Sequence, residues 1–203
     1  MSEARELADK TAIITGAARN QGRAFAQALA RKGANIVVHY HAAASRADAE
    51  KTARLVTAQG AKALLVEGDL ANIATVKRLF AEARQVSQSI DIVINNAGLV
   101  IKKAFVEITE EEFDRAFDVN AKAAFFVMQE AAKNIADNGR IINIGTTILG
   151  ATIPYYSVYA GSKAPPGGLH PCPGQGDRRA RCDGECHCPR AARRFVLPRC
   201  RNA

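Results

Sequence analysis

Short apolar runs recur along this chain, each followed by a stretch with helical spacing, and that alternation restricts the fold more than any other feature. Thr11-Ala12-Ile13-Ile14, Asn35–His39, Ala63–Glu67, Asp91–Asn95 and Arg140–Ile144 read as strands. Between them the spacing predicts helices over Ala47–Gln59, Ile73–Ser87 and Glu111–Asp137. A further helix follows the first strand, with Phe25, Leu29 and Ala30 on one face and Gly33 as its stop. Short apolar strands separated by helices call for a doubly wound α/β architecture, a parallel sheet covered on both faces. Connections in such units are right-handed, so polar groups at the strand carboxyl ends gather along one edge. Gly16, Asp69, Asn96, Thr146 and Tyr159 all fall at that edge.

The first strand breaks into Thr15-Gly16-Ala17-Ala18-Arg19-Asn20-Gln21-Gly22 before its helix. A strand, a glycine-bearing turn and a helix N-terminus together aim backbone N–H groups at phosphate. Gly16 permits the tight turn and Gly22 allows close packing of the helix; an ordinary strand-to-helix turn is the plainer reading. Tyr159 and Lys163 stand four residues apart in Tyr-Ala-Gly-Ser-Lys. On a helix they share one face, so a phenol and an ammonium can address the same bound molecule. A free phenol, with a pKa of about 10, is a poor base near neutrality, and a fixed positive charge beside it favours the phenolate. A surface helix with an outstretched lysine is the competing reading.

Taken together, these pieces make Lys10 to Ala164 resemble the short-chain dehydrogenase/reductase family, in its 3-oxoacyl-carrier-protein-reductase-like branch. The matching residues are Thr15-Gly16 with Gly22, Asp69-Leu70, Asn95-Asn96-Ala97-Gly98, Asn120 in Asp118-Val119-Asn120, Asn143-Ile144-Gly145-Thr146, and Tyr159 with Lys163. The resemblance implies a Rossmann-type sheet, a nicotinamide dinucleotide, and hydride transfer between it and a carbonyl or secondary alcohol. It places the cofactor on Gly16, Arg19, Asn20, Gln21, Gly22, Tyr40, Asp69, Leu70, Asn96, Ala97, Gly98, Tyr159 and Lys163. It makes Tyr159 the proton donor, with Lys163 tuning the phenol and holding the nicotinamide ribose. Asn120 would anchor a relay water, and Thr146 would hold the substrate oxygen. No metal is implied.

Two departures from the family pattern bear on the site. The turn commonly reads T-G-x-x-x-G-x-G, and its middle glycine is Asn20 here, a residue that tolerates left-handed backbone. The site hydroxyl, commonly serine, falls on Thr146, with Thr147 the runner-up; the extra methyl stiffens the side chain and narrows the pocket. Cofactor choice rests on the end of the second strand, where an acid would accept the ribose 2′-hydroxyl and repel a 2′-phosphate. The chain instead reads His39-Tyr40-His41-Ala42-Ala43-Ala44-Ser45-Arg46, without a carboxylate until Asp48. With Arg19 in the turn, this points to NADP ahead of NAD, unless the histidines and Arg46 are merely a solvated loop.

After Ala164 the chain changes character, dividing it into a reductase-like domain over 1–164 and a tail over 165–203. All five cysteines, six of the seven prolines and +5 of the +8 formal charge lie in the tail. Neither strand nor helix periodicity runs through it, and Pro165-Pro166-Gly167-Gly168 would stop the helix carrying Tyr159 and Lys163. Disorder is the expected state, with the last strands of the sheet missing or non-native. A shifted reading frame accounts for this. Read from each codon's second base, Glu185–Ala192 can spell N-A-I-A-P-G-P-L, the family's N-x-x-x-P-G signature, and Gly168–Gln175 can spell D-F-T-R-A-L-A-K. The nucleotide sequence tests that reading. Alternatively, Cys182, Cys186, His187 and Cys188 bind zinc, although no paired C-x-x-C knuckle is present. An arginine-rich tail could also neutralise nucleic-acid phosphates, but aromatic residues to stack on bases are lacking.

Exposed cysteines, the lack of a signal peptide or membrane span, and an acidic, polar opening, Ser2-Glu3-Ala4-Arg5-Glu6, lead us to expect a reducing cytoplasm and no membrane association. A small-molecule carbonyl or alcohol is the expected partner. A homo-oligomer of the family kind is doubtful, because the broken helix belongs to the surfaces through which family members commonly pair. Two functions stand: an NADP-dependent oxidoreductase, 3-oxoacyl-reductase-like and impaired by its tail, or a nucleotide-binding pseudo-enzyme without turnover.

Overall fold

In the computed structural model, which describes residues 5–151 and 153–168, five parallel strands form a single sheet. They are β1 (Thr11–Ile14), β2 (Asn35–Tyr40), β3 (Ala63–Glu67), β4 (Ile90–Asn95) and β5 (Ile135–Asn143), in the order β3-β2-β1-β4-β5. The order reverses between β1 and β4, whose residues Ala12, Ile13 and Ile14 pair with Ile92, Val93 and Ile94. A crevice opens beyond the carboxyl ends of strands at such a reversal, which is why ligands of open α/β sheets bind there.

Side-chain alternation builds a core on each face. Ile13, Val37, Val93 and Ile141 point to one side, against Val76, Leu79 and Phe80 of α3 (Ile73–Val86) and Val127 and Met128 of α5 (Ala123–Asn134). Ala12, Ile14, Ile36, Val38 and Ile94 point to the other, against Ala26 and Ala30 of α1 (Asn20–Arg31) and Ala49 and Val56 of α2 (Arg46–Thr57). α4 (Glu110–Phe117) starts with a capping box in which Thr109 and Glu112 satisfy each other's backbone N–H groups. α6 is Ser157–Lys163.

Differences from the expected elements are local. The long helix over Glu111–Asp137 is interrupted by a wide π-turn, Asp118–Lys122, between α4 and α5. It also ends early, at Asn134. Ile135, 4% exposed, pairs with Ile90 at the edge of the sheet, and a register shift follows before Arg140 pairs with Ile92. Within that shift Asn138 takes φ +64°, a left-handed conformation that asparagine accepts and that a helix cannot contain. Burying Ile135 beside β4 outweighs one more helical turn. α6 stops at Lys163, where the Pro-Pro-Gly-Gly run was expected to stop it, and a separate single turn, α7 (Pro165–Gly168), follows. Pro165 occupies its first position, where the missing N–H has no helical partner to lose. The expected irregular tail, with its cysteines, lies from residue 169 onward outside the described residues.

Candidate active site

At the carboxyl end of β1, Gly16 adopts φ +64° and Asn20 φ +51°. Asn20 therefore occupies the left-handed position that the missing glycine would have taken. Gly22 is buried in the first turn of α1, and a Cβ there would strike the Gly16 carbonyl, Ala17 Cα and Asn96 Nδ2. Only a residue without a side chain lets α1 approach its own turn so closely. Arg19, Asn20 and Gln21 are exposed at the tip.

The loop after β4 holds this turn from one side. Asn96 Nδ2 donates to the carbonyls of Thr15 (2.9 Å) and Gly16 (3.2 Å). The backbone N–H groups of Asn96 and Ala97 both donate to Thr15 Oγ1, at 2.9 Å each. Beneath them, Asn95 Nδ2 donates to Asn143 Oδ1 (3.0 Å) and the Ala124 carbonyl (3.0 Å). Thr15, Asn95 and Asn143 are all buried, and full hydrogen bonding is what permits polar groups there. The Asn96 amide is thus engaged with the turn rather than presented to the crevice.

His39 holds the turn from the other side. Its Nδ1 accepts from the Gly16 N–H (3.2 Å), and its Nε2 lies 2.9 Å from the Gly68 carbonyl. Burial pushes the imidazole pKa down to about 4, against the pull of the Gly68 carbonyl. The reading of these histidines as a solvated loop is therefore wrong for His39, which is 2% exposed within β2. His41 is exposed and 3.8 Å from Asp69. Asp69 accepts from the Ala71 N–H and pairs with Arg115 of α4 at 2.8 Å. Burial raises its carboxyl pKa, but these two partners and His41 outweigh that and leave it lowered. Leu70 is buried in the core beside it. Tyr40 is buried at the end of β2; burial first, then Glu67, raises its phenol pKa. Asp48, the first carboxylate beyond β2, is bound by Arg23 at 2.9 Å. Arg23 also donates to the Ala18 carbonyl and to Thr52 Oγ1 (2.9 Å), tying the turn to α2.

Asn120 sits fully buried in the π-turn. Its amide donates to the Leu99 carbonyl (2.8 Å) and Ser162 Oγ (2.9 Å), while its oxygen accepts from the Leu99 N–H (2.8 Å). Ser162 donates in turn to the Tyr159 carbonyl at 3.0 Å. α6 is thereby fastened beside the loop after β4. Lys163, 6% exposed, extends its ammonium towards the carbonyls of Ile144 (3.3 Å) and Ala97 (3.5 Å). Burial lowers its pKa to about 8. A Cβ on Gly98 would come within 3.0 Å of Lys163 Nζ and 3.2 Å of Asn120 Oδ1, so this glycine makes room for both. Tyr159 is half-buried, its ring edge-on to Tyr156 with centroids 6.2 Å apart. Thr146 Oγ1 accepts from the Ile148 N–H at 3.4 Å, and Thr147 opens the short 3-10 turn that follows.

Thr15, His39, Arg23 and Ser162 escaped the sequence reading as site residues. Thr15 and Ser162 stand inside motifs already singled out; His39 was noted only within the run at the end of β2, and Arg23 gave no signal, because their roles depend on main-chain groups distant in sequence. Among the described residues, three or more His, Cys, Asp and Glu nowhere cluster as for a metal. No described helix is long and apolar enough to cross a membrane.

Comparison with known proteins identifies relatives of the sequence and of the fold. A Burkholderia cenocepacia protein crystallised with bound NADP superposes with a TM-score of 0.78 and 45% identity, over 82% of this chain and 63% of that one. The angucycline C-6 ketoreductase LanV with bound NADP gives a TM-score of 0.75 and 35% identity, over 81% of this chain and 65% of LanV. A hydroxynaphthalene reductase-like protein, Arp2 of Metarhizium brunneum, is 37% identical over 161 residues, 79% of this chain and 60% of Arp2. The chain thus spans about 60% of the length of the curated relatives it matches. Short chain dehydrogenase is the family matched over residues 10–170, and this chain belongs to it.

Proposed function

We propose that this protein is an NADP(H)-dependent oxidoreductase that interconverts a ketone and a secondary alcohol. The observation that carries this reading is Lys163. Its buried ammonium reaches the ends of β4 and β5 from the same short helix as Tyr159, beside the glycine turn at the reversal of the sheet. The residues fit a dinucleotide phosphate. The turn is left-handed, its tip is exposed and carries Arg19, and Asp48 is neutralised by Arg23 rather than turned to a ribose 2′-position. Gly16 to Gly22, Tyr40, Asp69, Leu70 and Asn96 to Gly98 would hold it; two of the compared structures contain NADP.

When bound, the nicotinamide supplies or accepts the hydride. Tyr159 would deliver a proton to the carbonyl oxygen, and Lys163, charged below about pH 8, would hold the ribose beside it. Thr146 accepts a hydrogen bond from the Ile148 N–H through its oxygen, which leaves its hydroxyl hydrogen able to donate to the substrate oxygen. Both N–H groups of Asn120 are engaged, so a relay water would be held through its oxygens.

A 3-oxoacyl thioester is one such ketone. The names of Arp2 and LanV add ring ketones of aromatic compounds as a second class to assay. Residues 165–203, read as foreign to the family, are proposed to lower turnover more than cofactor binding. Calorimetric titration with NADP+ and NAD+, followed by NADPH oxidation with both ketone classes, tests the proposal. Tighter binding of NADP+ with measurable turnover supports it. Binding without turnover would favour the pseudo-enzyme, and binding of neither nucleotide would end the reading.

A further inference from the structure

We infer that His39 is a positioning residue for the cofactor turn, acting as an acceptor for the Gly16 N–H from the neutral, Nε2-protonated imidazole. The inference rests on the proposed dinucleotide site and adds a residue to it. Gly16 is held in left-handed backbone by two flanking strands. Asn96, after β4, takes its carbonyl, and His39, in β2, takes its N–H. The His39 carbonyl also accepts the Ala17 N–H at 2.8 Å, so one residue binds two successive amides of the turn.

The tautomer follows from the partners. An N–H faces Nδ1 and a carbonyl faces Nε2, so the ring must accept at the first and donate at the second. A second proton at Nδ1 would oppose the Gly16 N–H directly. The surroundings also disfavour it: burial does so most, His41 beyond β2 and Arg78 on α3 repel added charge, and Asp69 after β3 attracts it. From β1 and its turn His39 meets main-chain groups of Gly16 and Ala17. The ring therefore joins the loops after β1 and β3, the two that flank β2 at the cofactor edge.

Asparagine and glutamine separate positioning from simple filling, because Asn places an acceptor oxygen near the former Nδ1, whereas Gln turns its amide NH2 group to the Gly68 carbonyl near the former Nε2 and leaves the Gly16 N–H without an acceptor. We expect His39→Asn to keep NADP+ affinity within about threefold of the full-length wild-type chain. His39→Gln should lose about tenfold, the scale of one buried hydrogen bond left unmade. In nitrogen-15 spectra, wild type at neutral pH should show the Nε2–H tautomer at His39, and the Gly16 amide should stay protected from exchange in His39→Asn but not in His39→Gln. Equal losses in the two variants, better retention by the bulkier Gln, or an Nδ1-protonated ring would overturn the inference. Should His39→Gln not fold, His39→Val, which suits a strand but lacks an acceptor, replaces it in the same comparison. A wild-type chain that binds no NADP+ would defeat the functional reading, while Gly16 protection in the same samples still decides the role of His39.

Discussion

The placement of Tyr159 and Lys163 on one helix was legible in the sequence because it follows from a four-residue spacing. The structure adds where the ammonium goes: to two carbonyls at neighbouring strand ends. Tyr159→Phe removes the transferable proton and leaves packing almost unchanged, so turnover should fall by about 10²–10⁴ while NADP+ affinity holds. Parallel titration and steady-state assays check this, and retained turnover would take Tyr159 out of the mechanism. Asn20 gives a sharper residue-scale test, since sequence showed a departure from pattern and structure shows φ +51°. Asn20→Gly should leave thermal stability unchanged or improved, whereas Asn20→Ala should lower it by about 1 kcal/mol, because alanine keeps the Cβ that left-handed backbone disfavours and lacks the short polar side chain that eases it. His39 was noticed in the sequence, but not its role. A histidine at the end of a strand looks the same whether it bridges two loops or faces water, until the third strand is placed beside it.

Among the elements, strands and helices were readable because each carries its own apolar period, and β3 appears with the predicted bounds. The π-turn at Asp118–Lys122 was not readable. One extra residue per turn alters no residue type, and its cause is tertiary: Asn120 must point inward to reach Leu99 and Ser162. Nor was the early end of α5, which depends on Ile90 offering a place for Ile135. Element packing makes a prediction at Gly22, where an added methyl meets the backbone of Gly16 and Ala17 rather than a movable side chain. Gly22→Ala should displace α1 from its turn, cost about 1–3 kcal/mol, and abolish detectable NADP+ binding. Thermal melts with and without NADP+ measure both effects; a normal ligand-induced shift would show that the close approach is dispensable.

Acid sensitivity belongs to the molecule as a whole, because buried groups on opposite ends of the sheet act in the same direction. His39 has a folded pKa near 4 against an ordinary 6.5, so the unfolded chain takes up the proton first as pH falls. Stability contributed by the neutral ring is complete above pH 6.5 and is lost towards pH 4, by about 3 kcal/mol. Asp91, at the amino end of β4, follows at lower pH. Burial raises its pKa, but the Thr11 N–H, Lys10 and Ser89 outweigh that and leave it lowered. Denaturant titrations between pH 7 and 4 should show this decline in the wild type and a flatter one in His39→Asn; parallel curves would remove His39 as its source. The wide turn between α4 and α5 has a reach beyond its own residues. Each helical residue advances about 100°, and α5 is fixed on the sheet by Ala123, Val127 and Ala131. Deleting one residue from Asp118–Lys122 would make the two helices a single regular rod. α4 would keep nearly its present phase, because the residue removed is the one the wide turn absorbs, but Asn120 would lose the bulge that carries it to Leu99 and Ser162, and α6 would lose its fastening.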